Sequence, residues 1–347
     1  MNRQTVISDV VMTGVAACVP PDISDNTEYE PLFGAENVQK FRGVTGVKTR
    51  HVARPEDSCS DFSCLAAKRL LAAKKTDIAE IDAIIFVSQT PDYVLPATAC
   101  HLHRRLKAPH SVLAFDVNLG CSGFVYGCAV AASLLNMQGM KKVLLCGGDT
   151  STKIIDRNDK GSAMLFGDGG FAALLEKSPG AAPWQCEWGT DGEGYDAIII
   201  KKQRFRNSVG QPPEDAKLFM DGLRVFNFSI DEVPIAVKNV MAAAGVGRDD
   251  VDGLVMHQAN LFILKQVAKL SGLRMDKVPV SIDRYGNTSV TSIPLTLCSE
   301  YSGRQEKLDL LLAGFGVGLS WGVIRMPLDP AAFLPVITFD RKELGDE

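Results

Sequence analysis

A cysteine that follows a glycine and opens a helical run is placed to act as a nucleophile, and Cys121 stands in that position. It lies between the strand-like LAFDV (113–117) and the helical GFVYGCAVAASLL (123–135). A helix N-terminus turns unsatisfied N–H groups and a partial positive charge towards the sulfur, which predicts a lowered thiol pKa. Gly120 and Gly123 permit a tight strand-to-helix turn and leave room for a substrate. Cys128 and Cys146 sit inside apolar runs and read as small buried side chains. His257 leaves the strand-like LVM and opens HQANLFILKQVAKL. That places it at the carboxyl edge of an α/β sheet, where such folds locate their sites and where Cys121 also lies. His51, His101, His103 and His110 read as structural or exposed; His101 and His103 have no clustered cysteine, so no metal site is expected. Asn287, in RYGNTSVTSIP, follows a strand-like run and a glycine. Turns favour asparagine for conformational reasons alone, so its weight comes from its place in a repeat.

That repeat is the main organising feature. IDAIIF (81–86) matches VDGLVM (251–256), FDVNLGCS (115–122) matches SIDRYGNTS (281–289), and VLLCGG (143–148) matches LLLAGF (310–315). The offsets are nearly constant and the order is kept, which sets Cys121 opposite Asn287. Short apolar runs at 84–88, 112–117, 143–146 and 171–175 alternate with helical patterns at 59–73 and 97–106. The runs 254–256, 278–282, 310–312 and 319–324 predict the strands of the second half, and 218–237 predicts a helix. Strands buried on both faces and alternating with helices define an α/β sheet covered on both sides. SPGAAPWQ (178–185) breaks the pattern, so the halves are taken as residues 1–180 and 181–347.

The 347 residues, 46% hydrophobic and 22% charged, describe an ordinary globular chain. A net charge of -4 excludes a cationic field for nucleic acid. No stretch reaches the roughly 18 apolar residues of a membrane span, and residues 1–10 do not read as a signal peptide. Nine cysteines without C-x-x-C pairs fit reduced thiols in the cytoplasm. FGDGG (166–170) and AGFGVGLSWG (313–322) lack the context of a dinucleotide or phosphate loop. The second stretch offers backbone N–H groups to a developing oxyanion.

Four motifs in order, GCSGF at Cys121, HQAN at His257, YGNTS at Asn287 and the closing GFGVGLSWG, resemble β-ketoacyl-acyl carrier protein synthase III, a thiolase-like condensing family. RGVTGVKTR (42–50), TPDYVLPATA (90–99), LFGDGG and FMDGLRVF (219–226) extend the resemblance over most of the chain. It implies a five-layered αβαβα fold of two pseudo-symmetric halves, a homodimer, and a catalytic set that falls on Cys121, His257 and Asn287. Cys121 would take an acyl group from a thioester, and a malonyl thioester would then lose carbon dioxide and extend it, in fatty-acid initiation or a specialised acyl or polyketide pathway. The backbone N–H groups of Cys121 and Val317 would hold the oxyanion. No cofactor is implied; acyl-coenzyme A or acyl carrier protein would be substrates. Leu95 matches a position that caps the neighbouring subunit's acyl pocket. Lys265 and Lys269, four apart on one helix face, would meet an acidic carrier, with KKQRFR (201–206) a lesser candidate. Lys40, Val44 and Phe262 stand where relatives that grip coenzyme A carry a tryptophan and arginines, which favours a carrier-dependent or specialised role. Acyl transfer to an alcohol or amine is the alternative on the same scaffold, and the retained Asn287 speaks against it. Intact Cys121 argues against a non-catalytic partner subunit, and the repeat argues against a cysteine hydrolase.

Overall fold

The apolar runs become strands buried on both faces, and they assemble into two sheets. The computed structural model describes residues 3–201 and 217–345. The first sheet contains β2 (Val10–Val19), β3 (Ala83–Val87), β4 (Leu113–Val117), β5 (Lys142–Asp149) and β6 (Gly169–Lys177), ordered β2-β6-β5-β3-β4. The second contains β7 (Trp184–Thr190), β8 (Gly253–Met256), β9 (Leu308–Gly316) and β10 (Ser320–Leu328), ordered β7-β10-β9-β8. In both, two antiparallel pairings lead to a parallel one: β2–β6, β6–β5 and β5–β3 match β7–β10, β10–β9 and β9–β8. The repeat in the sequence is therefore a repeat in topology.

The period-two alternation of a strand then sorts the side chains between layers. On β3, Ala83, Ile85 and Val87 face the space between the sheets, whereas Ile84 and Phe86 face outwards. On β9, Leu310 and Leu312 point inwards, and Leu311, Ala313 and Phe315 outwards. Helices α3 (Gly123–Leu135) and α6 (Ser292–Tyr301) fill the middle layer. A helix packed on both sides must be apolar nearly all round, which accounts for the largely apolar character of α3, whose polar side chains are Tyr126 and the exposed Ser133. The outer face of the first sheet is covered by α1 (Cys59–Lys74) and α2 (Thr98–Arg105), and that of the second by α4 (Gly222–Ala244) and α5 (Leu261–Ser271). The result is the expected five layers, αβαβα.

Two details depart from the sequence reading. Residues 278–282 form no strand; a 3-10 turn (Met275–Lys277) and a helical turn (Ile282–Tyr285) flank them. Pro279 has no N–H to give a ladder, so β8 remains at the edge of its sheet. The end strands also cross between halves. β1 (Arg3–Ile7) pairs with β7 in the second sheet, and β11 (Ile337–Thr338) pairs with β2 in the first. Among the described residues no helix is long and apolar enough to cross a membrane, and no group of three or more His, Cys, Asp or Glu is placed to hold a metal ion.

Candidate active site

The carboxyl ends of β3, β4, β5, β8 and β9 converge on one cavity, and Cys121, His257 and Asn287 all line it. Its remaining wall is largely apolar, from Ile154, Leu165, Phe166, Leu218, Met220, Val225 and Phe315. Cys121 precedes α3, where Gly123 N–H donates to the Gly120 carbonyl at 2.7 Å and closes the turn. The N–H groups of Val317 and of Cys121 itself are directed at the sulfur. Gly316 makes that approach possible. Its φ is +150°, and a Cβ there would lie 2.6 Å from Cys121 Cβ and 3.0 Å from its Sγ.

The expected lowering of the thiol pKa is not met. Burial pushes the Cys121 thiol up to about 11, outweighing the hydrogen bonds from Val317 and Ser289, and the nearby Asp149 carboxylate adds to the rise. The resting nucleophile is a thiol, so its proton must leave as it attacks.

His257 N–H donates to the Ala313 carbonyl at 2.8 Å, which extends the β8–β9 ladder by one residue. Helix α5 begins only at Leu261, where the Asn260 side chain caps Ile263 N–H at 2.7 Å. The imidazole packs against the edge of Phe315, with ring centroids 5.7 Å apart. Burial lowers its pKa to about 3, with the Ser289 backbone opposing the shift, so the ring is neutral at physiological pH. Nδ1 lies 2.8 Å from Ser292 Oγ, and that hydroxyl lies 2.7 Å from the Ser289 carbonyl.

Asn287 is pinned through its backbone. Its N–H donates to the Leu165 carbonyl at 2.9 Å, and its carbonyl accepts from Gly167 N–H at 3.1 Å. A Cβ on Gly167 would stand 2.1 Å from the Tyr285 carbonyl, so FGDGG serves to let these two chain segments touch. Oδ1 accepts from Ser289 N–H at 2.9 Å. That bond fixes the amide orientation and leaves the Nδ2 protons for a ligand.

Sequence reading missed Ser289, Ser292, Phe315 and Asp149. The two serines follow Asn287 by two and five residues, and Asp149 is an acid closing an apolar strand at the sheet's carboxyl edge. The remaining candidates stand apart from this cavity. Leu95 is 77% exposed and does not line its own chain's cavity. Lys265 and Lys269 are exposed on α5, whose first turns supply Asn260 and Ile263 to the cavity wall. Lys40 and Val44 are exposed on the helix Ala35–Thr45, and Phe262 stacks on Phe226 with centroids 5.4 Å apart. Of the basic run 201–206 only Lys201 is among the described residues.

Comparison with known proteins places this geometry. Residues 115–192 match the family described as 3-oxoacyl-[acyl-carrier-protein (ACP)] synthase III, and residues 241–326 match its C-terminal counterpart. The β-ketoacyl-[acyl-carrier-protein] synthase III of Alkalilimnicola ehrlichii is 34% identical, over 89% of this chain and 96% of that one. The crystal structure of 3-oxoacyl-(acyl-carrier protein) synthase from Burkholderia xenovorans superposes with a TM-score of 0.93 at 38% identity, covering 97% of this chain and 99% of that one. A priming β-ketosynthase from the R1128 polyketide pathway gives 0.83 at 28% identity, covering 92% of this chain and 97% of that one.

Proposed function

The chain belongs to the β-ketoacyl-[acyl-carrier-protein] synthase III family of condensing enzymes, and on that premise we propose that it joins a Cys121-bound acyl group to a malonyl thioester by decarboxylative Claisen condensation. The observation that carries the proposal is the meeting of Cys121, His257 and Asn287 in one cavity. The Cys121 sulfur attacks an acyl thioester and retains the acyl group. The tetrahedral oxyanion forms where the Cys121 and Val317 N–H groups converge, each donor lowering the barrier by about 3 kcal/mol. A malonyl thioester then loses carbon dioxide. The enolate oxygen accepts hydrogen bonds from Asn287 Nδ2 and His257 Nε2, and the enolate carbon attacks the acyl thioester. The largely apolar wall strengthens these bonds by excluding water.

Incubation with acetyl-, hexanoyl- and decanoyl-coenzyme A and the matching acyl carriers, read by intact mass, tests the first half-reaction. Addition of a malonyl thioester should then discharge the adduct as a β-ketoacyl product. An adduct that transfers only to water, alcohol or amine would overturn condensation.

A neutral imidazole carries one N–H. For His257 to donate from Nε2, Nδ1 must accept, and the Ser292 hydroxyl must give its proton to Nδ1 instead of the Ser289 carbonyl. Ser292→Ala removes that donor and leaves Nδ1 beside a carbonyl, which favours the opposite tautomer. Carbon dioxide release from malonyl-coenzyme A should slow about 10²-fold while acylation of Cys121 persists. An unchanged release rate would contradict the role.

Acyl carrier protein is the proposed partner, docking on α5 through Lys265 and Lys269. Reversing both, Lys265→Glu with Lys269→Glu, should raise KM for a malonyl carrier about tenfold at low salt and little for malonyl-coenzyme A. Equal effects on the two donors would remove the docking assignment. A homodimer is proposed across β4, which ends the first sheet with Leu113 exposed; in it the exposed Tyr93, Val94 and Leu95 would be covered by the partner, with Leu95 capping the partner's acyl pocket. The nine unpaired cysteines suit the proposed cytoplasmic setting.

A further inference from the structure

Acylation on this reading starts from a protonated Cys121, and the proton needs an acceptor. His257 is a poor one: burial lowers its pKa to about 3 and so weakens it as a base, and its Nδ1 is engaged by Ser292. Among the described residues lining the cavity the only other acid or base is Asp149. It ends β5 and is 1% exposed. Its two oxygens are used unequally. Oδ1 accepts from Gln89 N–H at 2.8 Å and from Ser88 Oγ, Thr90 N–H and Thr90 Oγ1, each at 3.1 Å. Oδ2 is buried and forms no hydrogen bond of good geometry with any described residue. A buried carboxylate oxygen without a well-aligned donor costs stability, and this one belongs to a residue that lines the cavity.

Ser289 stands between the two. Its hydroxyl turns towards both the Cys121 sulfur and the Asp149 carboxylate. The hydroxyl is close against the nucleophile's turn: a Cβ on Gly120 would lie 3.0 Å from Ser289 Oγ. Ser289 holds φ at +50°, a left-handed conformation that residues with side chains seldom adopt.

The geometry points to Asp149 as the proton acceptor in acylation, reached from Cys121 through the Ser289 hydroxyl. As Sγ bonds to the thioester carbon, the carbonyl π pair moves to oxygen beneath the Cys121 and Val317 N–H groups. The thiol proton passes to Ser289 Oγ while the serine proton passes to Asp149 Oδ2. Collapse re-forms the carbonyl and breaks the bond to the donor sulfur, and the departing thiolate recovers a proton from Asp149 by the same path. One thioester replaces another with no net proton change. Besides Cys121, the titratable group facing Asp149 is Cys59, 3.7 Å from Ser88 Oγ and held as a neutral thiol by burial. Burial also raises the Asp149 carboxyl above its ordinary value, so it is a better base than a surface carboxylate.

The test is single-turnover formation of acyl-Cys121 from acetyl-, hexanoyl- or decanoyl-coenzyme A, followed by rapid quench and intact mass across a pH series. Asp149→Asn and Ser289→Ala should each acylate about 10²-fold more slowly at neutral pH. The wild-type rate should level off once Asp149 is ionised, well below the thiol's own range, whereas the variants' rates should go on climbing about tenfold per pH unit towards that range. Rates within about threefold of wild type, or a loss that is uniform across pH, would overturn the relay in favour of a structural role. Should Asp149→Asn fail to fold, Ser289→Ala decides on the same criteria. This inference rests on the condensing reading, and the two fail differently. No Cys121 adduct in the wild type sinks both; a wild-type adduct with indifferent variants sinks the relay alone.

Discussion

Cys121→Ala yields a folded protein that forms no acyl adduct, with condensation reduced on the order of 10⁶-fold, the scale seen when an acyl-transfer nucleophile is removed. Cys121 is the only cysteine lining the cavity, and seven of the other eight are buried elsewhere, with Cys100 exposed on α2. None can substitute for it at the Val317 and Cys121 N–H groups. The folding cost is small, because the substitution removes one sulfur from a cavity wall and breaks no backbone bond; about 1 kcal/mol is in keeping with so small a truncation. Decarboxylation of malonyl-coenzyme A should continue in this variant, since His257 and Asn287 are untouched. Intact mass and thermal unfolding check the two halves of the expectation. An acyl adduct on Cys100 in the wild type would remove the assignment.

Asn287→Ala should separate the half-reactions in the opposite sense, keeping the Cys121 adduct and slowing malonyl decarboxylation about 10²- to 10³-fold. The carboxamide offers Nδ2 to the enolate oxygen because Oδ1 is occupied by Ser289 N–H. Truncation therefore removes one transition-state donor and also frees a buried N–H, so a modest fall in Tm accompanies the kinetic loss. Single-turnover acylation and carbon dioxide release, measured on one preparation, distinguish these effects. Equal loss of both half-reactions would contradict the division of labour between Cys121 and Asn287.

Much of this arrangement was legible in the chain. The strands β3 and β8, and β5 and β9, were visible as matched apolar runs because burial on both faces leaves little else a strand can be made of. Cys121, His257 and Asn287 were found because each leaves an apolar run at a glycine or a helix start. What escaped were features set by three-dimensional proximity. Ser292 matters only through the 2.8 Å approach of an imidazole from a distant strand. Asp149 matters through an oxygen that four donors do not reach, which no local pattern encodes. The thiol pKa departs from expectation because a helix end is a local feature, whereas the desolvation that outweighs it comes from burial in the folded chain. The run 278–282 has the apolar residues of a strand, but Pro279 denies it a ladder, and turns form on either side.

The crossed end strands bear on how the chain is made. During synthesis β1 leaves the ribosome long before β7, the strand it pairs with, and the first sheet lacks β11 until every other strand of both sheets has been made. The first repeat therefore cannot be finished from its own residues, and the second borrows a strand made before the first, although each has the layers of a small domain. Until β11 is made β2 keeps an unpaired edge, and closing it couples both repeats into one late, cooperative step.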